Sequence, residues 1–205
     1  MSISEKDTYQ TIIAPSDEVL YKEKNSKFFG YAFPVSSEND VKALLEQVKK
    51  NHFTARHWCY AYQLGTSKIY FRANDDGEPN NSAGMPIYGQ IQSFDVTNVL
   101  IIVVRYFGGV KLGVGGLITA YRAAAQMALE AAVIVEKTID IHFIPTFNYK
   151  NMKKVMRIIK EKNLDIVAQK MELHCEIEIK TRKKNAELIF GTFTSLFEID
   201  IKHKD

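Results

Sequence analysis

The chain has 205 residues, of which 46% are hydrophobic and 25% charged, a balance that indicates a folded globular protein and excludes a disordered or fibrous one. The longest apolar run, Asn98–Val104, ends at Arg105 and is too short to span a membrane. The N-terminus contains no apolar signal core either, so we expect a cytoplasmic protein without membrane association.

Basic residues are concentrated in the last third of the chain. Residues 141–205 carry 13 Lys and Arg against 9 Asp and Glu, whereas residues 1–140 carry 14 against 15. This excess is compatible with a polyanionic partner such as RNA, and equally with an ordinary solvated surface. The two cysteines, Cys59 and Cys175, have no partner at metal-ligand spacing, so we expect buried reduced thiols and predict no metal or cofactor.

The first two thirds of the chain predict an α+β domain. Two short strands are expected between Tyr9 and Phe33, with Lys22–Lys27 as a charged connector. Ser36–Asp40 supply helix-capping residues before a helix that ends near Lys50. The elements expected after it are a strand pair at 58–64 and 68–72, a long loop at 74–89, a buried strand at 99–106, a glycine-rich loop at 107–116 and an Ala-rich helix at 117–132.

A second pattern begins at Ile139 and predicts a separate domain. Its expected elements are a strand at 141–147, a helix at 148–162, strands at 165–169 and 173–180, a helix at 183–197 and a strand at 198–202. The order βαββαβ is that of a ferredoxin-like sandwich. The predicted domains are therefore residues 1–138 and 139–205.

The glycine-rich loop Phe107–Gly116 leads from a buried strand into a helix and carries the clearest chemical signal. Glycine lets the backbone approach a ligand, and the free N–H groups and dipole of a helix N-terminus favour an anion. Arg105 and Lys111 add positive charge, so a phosphate from a nucleotide or from RNA would fit. Neither a Walker motif nor a dinucleotide fingerprint is present. The alternative is that these glycines only permit tight turns and close packing.

The acidic loop contains Asp75, Asp76 and Glu78, for which two interpretations are open. The carboxylates could bind Mg²⁺, or they could cap turns and pair with Arg105, Lys111 or Arg72. Their spacing matches no known calcium loop, which favours the structural interpretation or a contact surface. His57 is interpreted as structural, and the sequence shows neither a nucleophile elbow nor a zinc-site spacing, so no catalytic residue is predicted.

Five segments together resemble the IMPACT family, and nearly the whole chain resembles its bacterial YigZ/YvyE type. The segments are Lys24–Phe28, Ala55–Tyr62, Asp75–Pro79, Ser82–Pro86 and Val104–Tyr121. The resemblance implies an N-terminal left-handed βαβ fold, as in a small-subunit ribosomal protein, elongation factor G and GHMP-type kinases. It also implies a ferredoxin-like C-terminal domain similar to those of elongation factor G.

The resemblance further implies an association with translation, RNA or ribosomes. Eukaryotic members regulate translation initiation by competing for a partner of a stress-response kinase, and they carry an extra N-terminal domain that we do not expect here. The motif residues and basic side chains give the candidate sites. Ligand- or phosphate-binding candidates are Arg105, Gly108, Gly109, Lys111, Gly113, Gly115 and Gly116; the acidic-loop candidates are Asp75, Asp76 and Glu78; candidate RNA contacts are Arg56, Lys150, Lys153, Lys154, Lys183, Lys184 and the alternating strand Leu173–Lys180.

Two functions follow from these candidates. The first is a non-enzymatic regulatory protein that binds RNA, the ribosome or a translation factor. The second is an enzyme or binding protein for a nucleotide or phosphorylated small molecule at the glycine-rich loop. The oligomeric state is left open, a monomer being one option.

Overall fold

The computed structural model describes residues 6–204 and divides into two compact units. Tyr9–Lys137 form the first unit, and the chain from Thr138 onward forms the second together with the segment that ends at Thr8. Asp7 explains this division, because its carboxylate pairs with Arg182 and its carbonyl accepts the N–H of Ile139 at 2.9 Å. The domains predicted from the sequence, 1–138 and 139–205, assign this N-terminal segment to the first domain instead, and these bounds stay a prediction.

The first unit contains a five-stranded antiparallel sheet with helices on both faces. The strand order is β2-β3-β6-β4-β5, and β1 pairs with β7 in a separate two-stranded sheet. The elements are β1 (Thr8–Ile12), β2 (Val19–Glu23), β3 (Ser26–Pro34), α1 (Glu38–Asn51), β4 (His57–Leu64), β5 (Tyr70–Asn74), α2 (Gly84–Ser93), β6 (Val99–Tyr106), α3 (Gly113–Glu130) and β7 (Ile134–Thr138).

The central strand β6 explains why this sheet needs helices on both sides. Seven of its eight residues are buried, and alternate side chains point to opposite faces. Leu100, Ile102 and Val104 pack with the helix α1 side, whereas Val99, Ile101 and Val103 pack in the core of α2 and α3. The mixed α+β class predicted from the sequence is confirmed. The handedness of the crossovers stays a prediction from the family resemblance.

Four predictions about local structure in the first unit were wrong. The stretch from Tyr9 to Phe33 was predicted to hold two strands and contains parts of three, β1, β2 and β3. Lys22–Lys27 is no connector, because β2 and β3 form a hairpin whose two-residue turn, Lys24 and Asn25, has φ values of 44° and 65°. The loop predicted at 74–89 ends early, because α2 begins at Gly84. The glycine-rich loop predicted at 107–116 also ends early, because α3 begins at Gly113 and contains Gly115 and Gly116.

The second unit has the predicted ferredoxin-like topology. Its elements are β8 (Asp140–Asn148), α4 (Met152–Glu161), β9 (Asp165–Lys170), β10 (His174–Arg182), α5 (Ala186–Thr194) and β11 (Ile199–His203). The sheet order is β11-β8-β10-β9, and each neighbouring pair is antiparallel. Buried side chains of α4 and α5 cover one face of this sheet, with Phe143 and Phe193 fully enclosed.

Both cysteines are buried and unbonded, as the sequence predicted. Across residues 6–204, no helix combines the length and apolar character that a membrane crossing requires.

Candidate anion-binding cleft

The acidic loop and the glycine-rich loop meet beside the end of β6 and enclose a cleft. Glu78 and Pro79 come from the first loop, and Phe107 and Lys111 come from the second. The structure thus brings together two segments that lie about thirty residues apart in the chain. The cleft has a volume of about 430 Å³ and is lined by Arg56, His57, Glu78, Pro79, Arg105, Phe107, Lys111, Leu112, Gly113, Val114 and Leu117.

Arg105 forms a buried ion pair at the base of this cleft. Its Nη1 lies 2.7 Å from Oε1 of Glu78, and the hydroxyl of Tyr121 donates to the same oxygen at 2.7 Å. The guanidinium also lies over the rings of Phe28 and Phe107, at 5.6 and 5.5 Å from their centroids. Burial raises the pKa of the Tyr121 hydroxyl, which therefore stays a hydrogen-bond donor. Arg105 and Glu78 thus support the fold as well as lining the cleft.

One nitrogen of Arg105 is left without a partner. The side chain of Arg105 is only 7% exposed, and its Nε makes no hydrogen bond to any other described residue. A buried donor of this kind is costly unless water or a ligand supplies an acceptor. Since Arg105 lines the cleft, an oxyanion held there could supply that acceptor.

The acidic loop uses its first two carboxylates to hold the backbone. Oδ1 of Asp75 accepts the N–H groups of Ala83 and Gly84 at 2.9 and 2.8 Å, which satisfies the start of α2. The carboxylate of Asp76 accepts the N–H of Trp58 at 2.7 Å. With Glu78 paired to Arg105, each of the three acids has a structural partner. Within the described chain, no three His, Cys, Asp or Glu side chains are grouped closely enough to hold a metal ion.

His57 lines the cleft and Cys59 is buried two residues further along β4, and neither offers an activated nucleophile. Nδ1 of His57 lies 2.8 Å from the carbonyl oxygen of Asp76. Since a carbonyl can only accept, Nδ1 carries the hydrogen. The Cys59 thiol donates to the carbonyl of Asp75 at 3.0 Å, and burial raises its pKa, so the reactive thiolate is disfavoured.

The five predicted loop glycines play different roles. A Cβ at Gly108 would lie 2.0 Å from the backbone carbon of Asn25, so this glycine permits the loop to pack against the β2–β3 turn. Gly109 and Gly113 have φ values of 86° and 72°, a region that side chains other than glycine rarely adopt. Gly115 and Gly116 lie in the first turn of α3. Gly108 is therefore structural, whereas Gly113 and Gly115 border the open end of the helix.

The start of α3 is the most favourable position for an anion in the cleft. Leu112 occupies the N-cap and makes no side-chain cap, and the first turn contains no acidic residue. The first turn of α3 therefore provides no counter-charge for its own free N–H groups and dipole, and the Glu78 carboxylate that lines the cleft is paired with Arg105. Two exposed cations, Arg56 and Lys111, lie at its rim. Phosphate and other oxyanions have the charge and acceptor atoms that match these groups, so the cleft is a candidate anion site.

The candidate lysines of the second unit form two separate groups. Lys150, Lys153 and Lys154 lie where α4 begins, just after the last residue of β8. Lys183 and Lys184 follow Arg182, which pairs with Asp140 at the first residue of β8. Because β8 has nine residues, the two groups lie at opposite ends of the sheet, roughly 25–30 Å apart. The five lysines therefore do not form one compact cluster, and their role as RNA contacts stays a prediction.

The polar face of β10 is largely neutralised by pairing across the sheet. Glu178 accepts hydrogen bonds from His142 and Lys204 at 2.8 and 2.7 Å, and these bonds hold the pKa of Glu178 below its ordinary value. Lys180 lies 3.8 Å from Asp140 and 3.6 Å from Asp165. This face of the strand therefore carries both acidic and basic side chains and no excess of cations.

Tyr121, Phe28 and Phe107 were not predicted as parts of the site. Tyr121 lies eight residues after Gly113 on the same helix face as Leu117, a spacing that places all three toward the same neighbours. That spacing is the sequence signal from which the contact of Tyr121 with the acidic loop could have been suspected.

Known proteins are similar to this chain in sequence and fold. Residues 24–129 match the family model of the Impact N-terminal domain. The IMPACT family member YvyE of Bacillus subtilis is 29% identical over 92% of this chain and 87% of its own length. The IMPACT family member YigZ of Escherichia coli is 35% identical over 58% of this chain and 60% of its own. A crystal structure described as that of a hypothetical protein shares the fold, with 98% of both chains covered, 23% identity and a TM-score of 0.74.

Proposed function

Because the chain belongs to the IMPACT family, we propose that it is a non-enzymatic cytoplasmic protein that regulates translation by binding RNA, free or as part of the ribosome. The association with translation comes from the family resemblance. The chemistry of the cleft supports RNA as the ligand. Arg56, Lys111 and the uncapped start of α3 surround one opening, where phosphate oxygens would be the matching acceptors.

The absence of an activated group in the cleft favours binding over catalysis. The three carboxylates of the acidic loop bind backbone N–H groups or Arg105, and burial keeps the Cys59 thiol protonated. His57 has one ring nitrogen occupied by a carbonyl. A phosphate placed here would be bound by charge and backbone donors, with no evident nucleophile to attack it.

The direct test is RNA binding at two salt concentrations, measured by the anisotropy of a fluorescein-labelled single-stranded RNA. The cleft variant is Arg56→Ala/Lys111→Ala, since both side chains are exposed and their removal leaves no buried charge unpaired. Wild-type affinity should fall steeply with salt. The variant should bind more weakly, with a slope of log affinity against log salt that is smaller by about 1.4, because each lost phosphate contact contributes about 0.7 for a single strand.

A matched control separates the cleft from net charge. Lys68→Ala/Arg72→Ala also removes one Lys and one Arg from exposed positions in the same unit, outside the cleft. Equal losses in both double variants would refute the cleft as the RNA site. No binding by the wild type at low salt would refute RNA as the ligand, and co-sedimentation with translation factors would then test a protein partner.

A second candidate is a nucleotide or phosphorylated small molecule in the same cleft. The cleft volume of about 430 Å³ lies within the range of small-molecule sites, about 300–1,000 Å³. The partnerless Nε of Arg105 and the exposed ring of Phe107 would suit a phosphate and a base. Calorimetric titration with adenosine monophosphate tests this candidate: saturable heat that Arg56→Ala/Lys111→Ala abolishes would favour it over RNA.

A further inference from the structure

One end of the second unit combines exposed aromatic rings with lysines. β8 ends at Asn148 and is followed by Tyr149, whereas β11 begins at Ile199, opposite Phe147. The residues just before β11, Phe197 and Glu198, therefore lie beside Tyr149. We call this surface the aromatic–lysine end. It consists of Tyr149, Lys150, Lys153, Lys154 and Phe197.

An ion pair holds the two chain segments of this end together. Nζ of Lys150 lies 2.7 Å from Oε1 of Glu198, and the side-chain amide of Asn151 donates to the other oxygen of Glu198 at 3.4 Å. The two aromatic residues are the sequence neighbours of this pair, Tyr149 beside Lys150 and Phe197 beside Glu198. The ion pair therefore links the two backbone segments that carry the rings.

The two rings contribute almost nothing to the core of their own unit. Tyr149 is 68% exposed and Phe197 is 85% exposed, and both lie outside the apolar cluster that α4 and α5 form with the sheet. A single exposed aromatic residue is ordinary. Two of them at one ion pair, beside a group of lysines, form a surface on which a partner's flat apolar groups could pack.

The lysines at this end lie where a helix favours acidic residues. Acidic residues stabilise the first turn of a helix, and cations are disfavoured there. The first turn of α4 nevertheless contains no acid, Asn151 provides no side-chain cap, and Lys153 and Lys154 are exposed. Glu198 is the nearby carboxylate, and its hydrogen bond with Lys150 lowers its pKa. The three lysines of this end and Glu198 together give a net positive charge.

We propose that the aromatic–lysine end binds single-stranded RNA, with bases stacked on Tyr149 and Phe197 and phosphates held by Lys153 and Lys154. Exposed rings flanked by cations are the pattern by which proteins bind single strands, because each base has a face for stacking and each linkage a charge. A duplex hides its base faces. The cores of protein–protein interfaces are depleted in lysine. This inference rests on RNA being the ligand proposed above.

The stacking test uses a fluorescein-labelled ten-nucleotide single-stranded RNA and its duplex form. Phe197→Ala and Tyr149→Ala should each weaken single-strand binding by about ten-fold, the loss expected for one base–aromatic stack. Phe197→Leu should weaken it nearly as much, because leucine is apolar but has no ring face. Phe197→Tyr should retain binding. Leu188→Ala, which removes a 62% exposed apolar side chain from α5 of the same unit, is the matched control and should bind like the wild type.

The lysine test compares the two ends of the same sheet. Lys153→Ala/Lys154→Ala should reduce the salt slope by about 1.4. Lys183→Ala/Lys184→Ala removes the same charge at the opposite end and should reduce it much less. Circular dichroism and thermal melting establish that each variant is folded.

The outcomes separate this inference from the proposed function. Unchanged binding in both aromatic variants, with a loss in Arg56→Ala/Lys111→Ala, would overturn the aromatic–lysine end and leave RNA binding at the cleft standing. Retained binding in Phe197→Leu with loss in Phe197→Ala would overturn stacking in favour of simple apolar contact, as with a protein partner. A wild type that binds no RNA would overturn both proposals.

Discussion

The first unit contains two helix N-termini with opposite chemistry. At α1, the hydroxyl of Ser37 accepts the N–H of Asp40 at 3.2 Å, and the Asp40 carboxylate accepts the N–H of Ser37 at 3.0 Å. Glu38 adds a second acid to this turn. At α3, Leu112 provides no cap, the first turn contains no acid, and Lys111 stands just outside it.

The N–H groups at the start of α1 are capped by side chains of the same helix turn, whereas those at the start of α3 have no side-chain cap. The capping box at α1 satisfies two N–H groups and neutralises the dipole from within the chain. The α3 end forgoes that stabilisation and faces a cleft with Arg56 and Lys111 at its rim. We interpret the missing cap at α3 as leaving its N–H groups available to a bound anion. Three predictions test this difference between the two helices.

The largest loss of stability is expected on removal of Arg105, the buried cation of the α3 cleft. Arg105→Ala should lower the free energy of unfolding by about 3–5 kcal/mol, because it leaves the Glu78 carboxylate buried without its partner. Urea unfolding, followed by the fluorescence of Trp58, measures this loss. Lys111→Ala removes an exposed cation from the same cleft and should change stability by less than about 0.5 kcal/mol.

Equal stability losses in Arg105→Ala and Lys111→Ala would contradict this division of roles. The expected result is that Arg105 mainly supports the fold while Lys111 mainly serves the ligand. For that reason a binding assay on an Arg105 variant would confuse unfolding with lost contacts, and the binding test above uses Arg56 and Lys111.

The second unit could be predicted from sequence because its signals are local. The helix α4 repeats buried residues at Val155, Ile158 and Ile159, and the strand β10 alternates polar and apolar side chains from His174 to Lys180. These patterns, in the order βαββαβ, were sufficient for the ferredoxin-like topology. The family resemblance, not periodicity, supplied the identity of the first unit.

The start of α2 could not be predicted because its stabilising contact is distant in sequence. Asp75 satisfies the N–H of Gly84 from nine residues upstream, while Gly84 and Pro86 themselves indicate a loop. The first turn of α3 was likewise predicted as a loop, because it contains three glycines. The ion pair of Arg105 with Glu78 joins residues 27 apart, and the pairing of β4 with both β5 and β6 brings them together.

An intermediate effect is expected at the self-capped helix. Ser37→Ala should lower the free energy of unfolding by about 1 kcal/mol, because the N–H of Asp40 loses its acceptor. RNA affinity should be unchanged, since Ser37 does not line the cleft. Ser37→Asp preserves a capping oxygen and should retain most of the stability. Chemical unfolding and anisotropy on the same samples measure both quantities, and a loss of RNA affinity in Ser37→Ala would blur the contrast between the two helices.

The smallest change in stability is expected for an acid introduced at the start of α3, which should stabilise the fold and weaken RNA binding. Val114→Glu places an acid in the first turn of α3, where Val114 is 53% exposed and lines the cleft. The helix dipole should then raise the free energy of unfolding by about 0.3–1 kcal/mol at low salt. The same carboxylate would compete with phosphate for the N–H groups and for Lys111, so RNA affinity should fall. Val110→Glu adds the same charge to the loop before the helix, at a 47% exposed position outside the cleft lining, and should do neither. If Val114→Glu stabilised the protein and left RNA affinity intact, the open end of α3 would be an uncapped helix and nothing more.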